Sequence, residues 1–301
     1  AALRRTNYWL LAPVAVALLV SHYSRAMRWK ILMEPLGYHP RNTNTYFAVL
    51  IGYFANLLVP RLGEVLKCTL LARYEKIPAD KLIGTIVAER AFDLICLVLV
   101  FAITIFSQID IIGTFTIGLF KNMISGADAA PDYRRLALLL AALLLLLAAG
   151  RFLFRKFAQH TALLKIKKVL HGIWEGLTSV RHVKKKGWFF FHSALIWFLY
   201  LASIRLGFYA MQDTQSFGWL PSFSVLSLGS VGMIVTQGGI GAYPILVQET
   251  LALYGLDPNI GRAFGWLLWL AQSVLIVVAG GLAFLLLPLV NPSKPAAASP
   301  R

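Results

Sequence analysis

The chain of 301 residues is 58% hydrophobic and only 14% charged, with a mean hydropathy of +0.68. Soluble globular usage is excluded, so the chain belongs in a bilayer and no separate soluble domain remains. A net charge of +16 would suggest nucleic acid in a soluble protein. Here the basic residues are segregated between apolar runs and form no reading motif, so no nucleic-acid partner is expected.

Arg4-Arg5 followed by an apolar run to Val20 has the outline of a signal peptide. The run ends, however, in Arg25, Arg28 and Trp29, a basic and aromatic interface cluster with no small-residue cleavage site. A first span is therefore expected over 7–29. The chain does not begin with Met, so further N-terminal residues, even another span, are expected before it. An interrupted apolar segment follows over 43–74, then a span over 79–107. The stretch 109–123 is apolar but short and contains glycine, which suits an interfacial segment, and a further span is expected over 133–150. Between 151 and 186, apolar residues such as Phe154, Leu163 and Trp174 alternate with Lys and Arg. That pattern suits an amphipathic helix on the cytoplasmic leaflet, with a solvated linker as the alternative. A span over 188–211, a second interrupted segment over 221–256 and a last span over 260–290 complete a single domain, 1–290. The Pro, Ala and Ser-rich tail 291–301 is expected to be disordered.

Ten basic residues lie in 151–186 and nine more in 25–81, which makes both regions cytoplasmic. Three crossings are expected between the two interrupted segments. If each enters and leaves on one side, the first opens to the cytoplasm and the second to the opposite face. The expected fold is all-α and polytopic, with two re-entrant helical hairpins in an inverted repeat. Gly52, Gly63, Tyr74 and Pro78 recur at similar spacing as Gly229, Gly241, Tyr254 and Pro258, although glycine and aromatic residues are common in membrane helices generally.

Three constellations carry chemistry. In the first, Arg61, Glu64 and Lys67 lie along one side of a helix that starts after Pro60, with Asn56 near its N-terminus and Gly63 inside it. The free amides and positive dipole end of such a start suit a phosphate, whereas the plain alternative pairs Arg61 with Glu64 at the membrane surface. The second is Glu89, Arg90 and Asp93. Glu89 and Asp93 are four apart on a helix, so they repel unless a cation or proton sits between them, and Arg61, Lys67 or Arg90 could supply it. A structural ion network is the alternative. The third is the turn Thr236-Gln237-Gly238-Gly239-Ile240-Gly241-Ala242-Tyr243-Pro244, whose glycines permit positive φ and whose proline suits a returning helix. Tight helix packing is the competing account. Arg25 and Arg28 either snorkel to lipid phosphates or form a specific site. Cys68 and Cys96 are isolated and the six histidines are scattered, so neither disulfide, metal nor cofactor is expected.

Taken together, Arg25-x-x-Arg28-Trp29, Asn56-x-x-x-Pro60-x-x-Gly63-Glu64, Glu89-Arg90-x-x-Asp93 and Gly238-Gly239-x-Gly241 resemble the lysylphosphatidylglycerol synthase transmembrane, or flippase-like, family in order and spacing. The family pattern often has a proline before the Gly-Gly and a Glu shortly after the last glycine. This sequence has Gln237 and Pro244 there, and its nearest acid is Glu249. The resemblance implies a bacterial inner-membrane protein that moves or binds a lipid with a charged head group. Bifunctional members carry a soluble aminoacyl-transferring domain; the residues to Arg301 leave no room for one, so lysine transfer by this chain alone is not expected.

The leading expectation is a lipid flippase or transporter for an anionic or zwitterionic, phosphate-containing lipid. Arg61, Lys67 and Arg90 would attract the phosphate, balanced by Glu64, Glu89 and Asp93. An intramembrane transferase acting on a lipid-linked substrate, with Glu89 and Asp93 as acid and base or as holders of a divalent metal, is one alternative. A non-transporting partner of a cell-envelope enzyme, acting through the basic amphipathic helix, is another. A homo-oligomer is compatible with each.

Overall fold

The structure, a computed structural model, describes residues 6–108 and 183–292. Among them every regular element is helical: α1 (Leu11–Met33), α2 (Asn42–Leu58), α3 (Leu62–Glu75), α4 (Ala79–Ser107), α5 (Lys186–Phe208), α6 (Trp219–Val235), α7 (Ala242–Ala252) and α8 (Pro258–Val290). The interfacial segment at 109–123, the span at 133–150 and nearly all of the amphipathic helix at 151–186 and of the tail lie outside the described residues.

Among the described residues, three helical stretches are long and apolar enough to cross a membrane: Tyr8–Leu36, Lys186–Phe208 and Pro258–Val290. α4, with 29 residues, is about 43 Å long and has the length to cross. Its composition differs because Glu89, Arg90 and Asp93 interrupt the apolar run. α2 and α3, with 17 and 14 residues, reach only about 26 and 21 Å, short of the roughly 30 Å hydrocarbon core. α6 and α7, with 17 and 11 residues, are equally short.

The breaks have local causes. Val59 precedes Pro60 and is extended (φ −136°, ψ 128°), as the proline ring demands, so α2 stops at Leu58. Arg61 then turns the chain with φ 65°. In the second pair, α6 ends at Val235, and Gly238, Gly239 and Gly241 all take positive φ before α7 begins with Pro244 in its first turn. α8 starts at Pro258 with the Asp257 carboxylate accepting from the Asn259 and Ile260 amides.

Close backbone approach holds each pair. A side chain on Gly63 would strike the Gly52 carbonyl, and one on Gly52 would meet the Lys67 stem, so α2 and α3 touch where both lack a Cβ. In the second pair, Gly229 faces the Tyr243 ring and Gly232 faces the Ala242–Tyr243 backbone, while Gly241 has open space around its Cα. The spacing match of Gly63 with Gly241 is thus not a match of roles, because the approach in the second pair falls to Gly229 and Gly232. The two tips also meet: the Gln237 side chain donates to the Leu57 carbonyl at 3.4 Å, and Trp269 of α8 donates to the Gly238 carbonyl at 2.7 Å.

Around the pairs, α1 packs on α5, α2 and α4, α8 packs on α7 and α2, and α6 packs on α4 and α5. α6 approaches α4 through small polar residues. Ser227 pairs with Thr104 at 2.8 Å, and Ser224 donates to Gln108 at 2.8 Å, the kind of small-residue contact that brings membrane helices close. Apolar side chains on the outer faces, among them Val274, Val278, Phe284 and Leu285 of α8, remain exposed, as suits a lipid-facing surface.

Candidate functional site

α1 changes character after Val20. Its inward face then reads Ser21, His22, Ser24, Arg25 and Arg28, all buried. Arg25 and Arg28, three apart, share a side of the helix, and that side meets the face of α4 carrying Glu89 and Asp93. Arg25 donates to Asp93 at 2.5 Å and to Glu89 at 3.2 Å. Arg28 donates to Asp93 at 2.5 Å and lies 3.5 Å from Glu89. Arg28 and Glu89 are both 0% exposed and Arg25 is 5% exposed, so neither arginine snorkels to the membrane surface. The cations between the two carboxylates are therefore Arg25 and Arg28 of α1.

Lys67 of α3 closes the other side of Glu89, at 3.4 Å, and its ammonium stands 4.6 Å from the centre of the Trp29 ring. Trp29 in turn donates to Thr85 at 2.9 Å, which sets the register of α1 against α4. The first constellation is thus divided among three places. Lys67 joins the buried cluster, and Glu64 pairs with Arg90 at 3.1 Å in a half-exposed bridge. Arg61 and Pro60 sit exposed at the α2–α3 tip. The surface pair expected between Arg61 and Glu64 is replaced by Glu64 with Arg90. Asn56 caps α3 from a distance, its side-chain oxygen accepting from the Gly63 amide at 2.8 Å.

The buried cluster holds three formal cations, Arg25, Arg28 and Lys67, against two carboxylates, Glu89 and Asp93. With Glu64 and Arg90 balancing each other, one positive charge is left over among the described residues. A cavity of about 350 Å³ opens beside it, with Arg25, Arg90 and Asp93 at the charged end, Tyr53, Tyr200 and Tyr243 along the walls, and Leu18, Leu97 and Met233 among the apolar residues. The Tyr200 hydroxyl accepts from Arg25 at 3.4 Å. A low-dielectric hollow with one excess positive charge in its wall attracts an anion, and the exposed guanidinium of Arg90 has the planar fork that suits phosphate oxygens.

Of the residues expected from the 238–244 turn, Tyr243 lines this cavity, beside Val225, Leu226, Ser230, Met233 and Ile234 of α6; Gly238, Gly239 and Gly241 shape the turn that places it. Sequence reasoning missed Tyr53, Tyr200, Ser203, Ser230 and Gln272, which add to the polar lining. A tyrosine or glutamine inside an apolar span is a signal of this kind, but nothing in the local spacing separates these residues from interface aromatics.

The fold and site define a polytopic helical membrane protein with a buried ionic cluster walling an intramembrane cavity. The chain belongs to the family described as the lysylphosphatidylglycerol synthase TM region, whose family model matches residues 1–281. It is similar to the UPF0104 membrane protein of Methanocaldococcus jannaschii, with 24% identity over 281 residues, covering 86% of this chain and 79% of that protein. No solved structure matches it.

Proposed function

We infer that the protein is a lipid flippase or transporter of a bacterial inner membrane, and that its cavity takes the phosphate of a lipid head group. The observation that carries this reading is the unbalanced positive charge of the Arg25, Arg28, Lys67, Glu89 and Asp93 cluster beside a cavity whose wall also carries Arg90. Charges cost roughly 2.5 to 3.5 kcal/mol each at the bilayer centre on insertion scales, so they persist there facing a partner or a polar cavity. Family membership agrees with a lipid substrate.

The inverted-repeat reading draws support from where each helix pair opens. α3 ends just before Pro78 and the start of α4, whereas the far end of α4 holds the start of α6 through Gln108, which donates to the Leu220 carbonyl at 3.1 Å. α4 is long enough to cross, so the α2–α3 pair opens on one side and the α6–α7 pair on the other. Their tips meet in between, where irregular backbone survives only against protein or a polar cavity. The transferase alternative gains nothing from the site, because Glu89 and Asp93 already accept from arginine and lysine donors and are poorly placed to act as free acid and base.

Native mass spectrometry of the protein released from detergent tests the binding reading. Retained phospholipid is expected for the wild type and its loss for Arg90→Gln, a half-exposed position outside the buried cluster. Equal retention by both proteins would sink it.

A further inference from the structure

Leu18 of α1 is a wall of two hollows. One is the charged cavity. The other is a groove of about 460 Å³ between α1 and α8, walled by Leu11, Val14 and Leu18 on one side and by Leu270, Val274 and Val278 on the other. Among the described residues no charged side chain lines it. The neighbours Ala271 and Gln272 of α8 divide in the same way, Ala271 facing the groove and Gln272 the cavity.

α8 runs parallel to α1, since Asn291 at its end exchanges hydrogen bonds with Asn44 at the start of α2, just beyond α1. Tyr8 and Trp266 therefore mark the same end of the groove. From Tyr8 to Leu18 the chain rises about 15 Å, and from Trp266 to Val278 about 18 Å. Half of a hydrocarbon core of roughly 30 Å is about 15 Å, so the groove has the length of one leaflet. Beyond Val278, α8 presses onto α2 at Gly280, where a Cβ would meet Leu50 and Phe54. On α1, Leu18 and Arg25 are about 10 Å apart along the axis.

We propose that this groove holds an acyl chain of the same phospholipid whose phosphate enters the charged cavity. The claim rests on the phosphate reading of the cavity. The lipid lies along α1, its phosphate at the Arg25 and Arg90 end and its glycerol region at Leu18. One chain runs from there toward Tyr8. α1 thereby presents tail-binding and head-binding surfaces in sequence, separated by a partition one leucine thick.

A phospholipid with a photoactivatable diazirine in its acyl chain, reconstituted with the protein in vesicles, gives the test. Cross-links mapped by mass spectrometry are expected on 11–18 and 270–278, and to fall several-fold in Arg90→Gln. Groove cross-links that persist unchanged in Arg90→Gln belong to surrounding bulk lipid and overturn the proposal. Val274→Trp fills the groove from a residue that is 59% exposed and so is readily tolerated. It is expected to weaken binding of dioleoyl phospholipid about tenfold or more, the equivalent of about two buried methylenes, while water-soluble dibutyryl phospholipid binds as it does to wild type. Equal loss of both ligands from monodisperse Val274→Trp protein, or loss of neither, would contradict the acyl subsite. Undiminished dibutyryl binding by Arg90→Gln would instead remove the phosphate reading.

Discussion

Glu89 is the residue on which the charged core turns. It is fully buried, and its oxygens face Arg25, Arg28 and Lys67 at 3.2, 3.5 and 3.4 Å. Replacing it with Gln leaves Lys67 without a carboxylate partner, and uncompensated buried charge is costly. We expect Glu89→Gln to lower stability by about 3 kcal/mol, read as a fall in melting temperature in detergent. Because the two groups share one interaction, Lys67→Met combined with Glu89→Gln is expected to be less damaging than the sum of the single changes. A strictly additive double mutant would show that the 3.4 Å pair contributes nothing. At this scale the sequence was partly legible. The i, i+4 pair Glu89 and Asp93 announced a need for cations, and Lys67 was among the candidates. Arg25 and Arg28 were not assigned to it, because they lie some sixty residues away and only the packing of α1 on α4 brings them there.

The helix pairs are decided by backbone contact. Gly63 abuts the Gly52 carbonyl, so Gly63→Ala must push α2 and α3 apart, at an expected cost of about 3 kcal/mol or more and with loss of monodisperse protein. Gly84, inside α4 with open space around it, provides the contrast: Gly84→Ala is expected to be neutral or to stabilise by up to about 1 kcal/mol. Similar effects at the two positions would mean that the close approach of α2 and α3 is not what holds the pair. Asn56→Ala removes the acceptor for the Gly63 amide and is expected to cost about 1 kcal/mol in the same melting assay. The helix breaks were legible because Pro60, Pro78, Pro244 and the glycine run are local punctuation. The partner of each glycine was not, since spacing alone paired Gly63 with Gly241 whereas packing gives the equivalent contact to Gly229 and Gly232.

For the whole molecule the account requires the two helix pairs to open on opposite sides of the membrane. Single cysteines at Asp80 and Asn259, both exposed and each at the start of the helix that follows a pair, report this in a background with Cys68 and Cys96 replaced by Ala. A membrane-impermeant maleimide is expected to label the Asn259 position from outside and the Asp80 position only after the membrane is opened; labelling of both from one side would refute the inverted arrangement. Composition made the membrane class plain and the order of apolar runs made most helix limits plain. The cavity lining was legible only in part, because Tyr53, Tyr200 and Gln272 come from three separate helices and converge with Tyr243 only in three dimensions. The central claim, that an excess positive charge in this cavity handles a lipid phosphate during transfer between leaflets, is tested most directly by transport of head-group-labelled phospholipid in proteoliposomes containing wild type or Arg90→Gln. Arg90→Gln, with its melting temperature close to that of wild type, is expected to slow transfer about tenfold, equivalent to about 1.4 kcal/mol in the barrier. Equal transfer rates in the two preparations would contradict it.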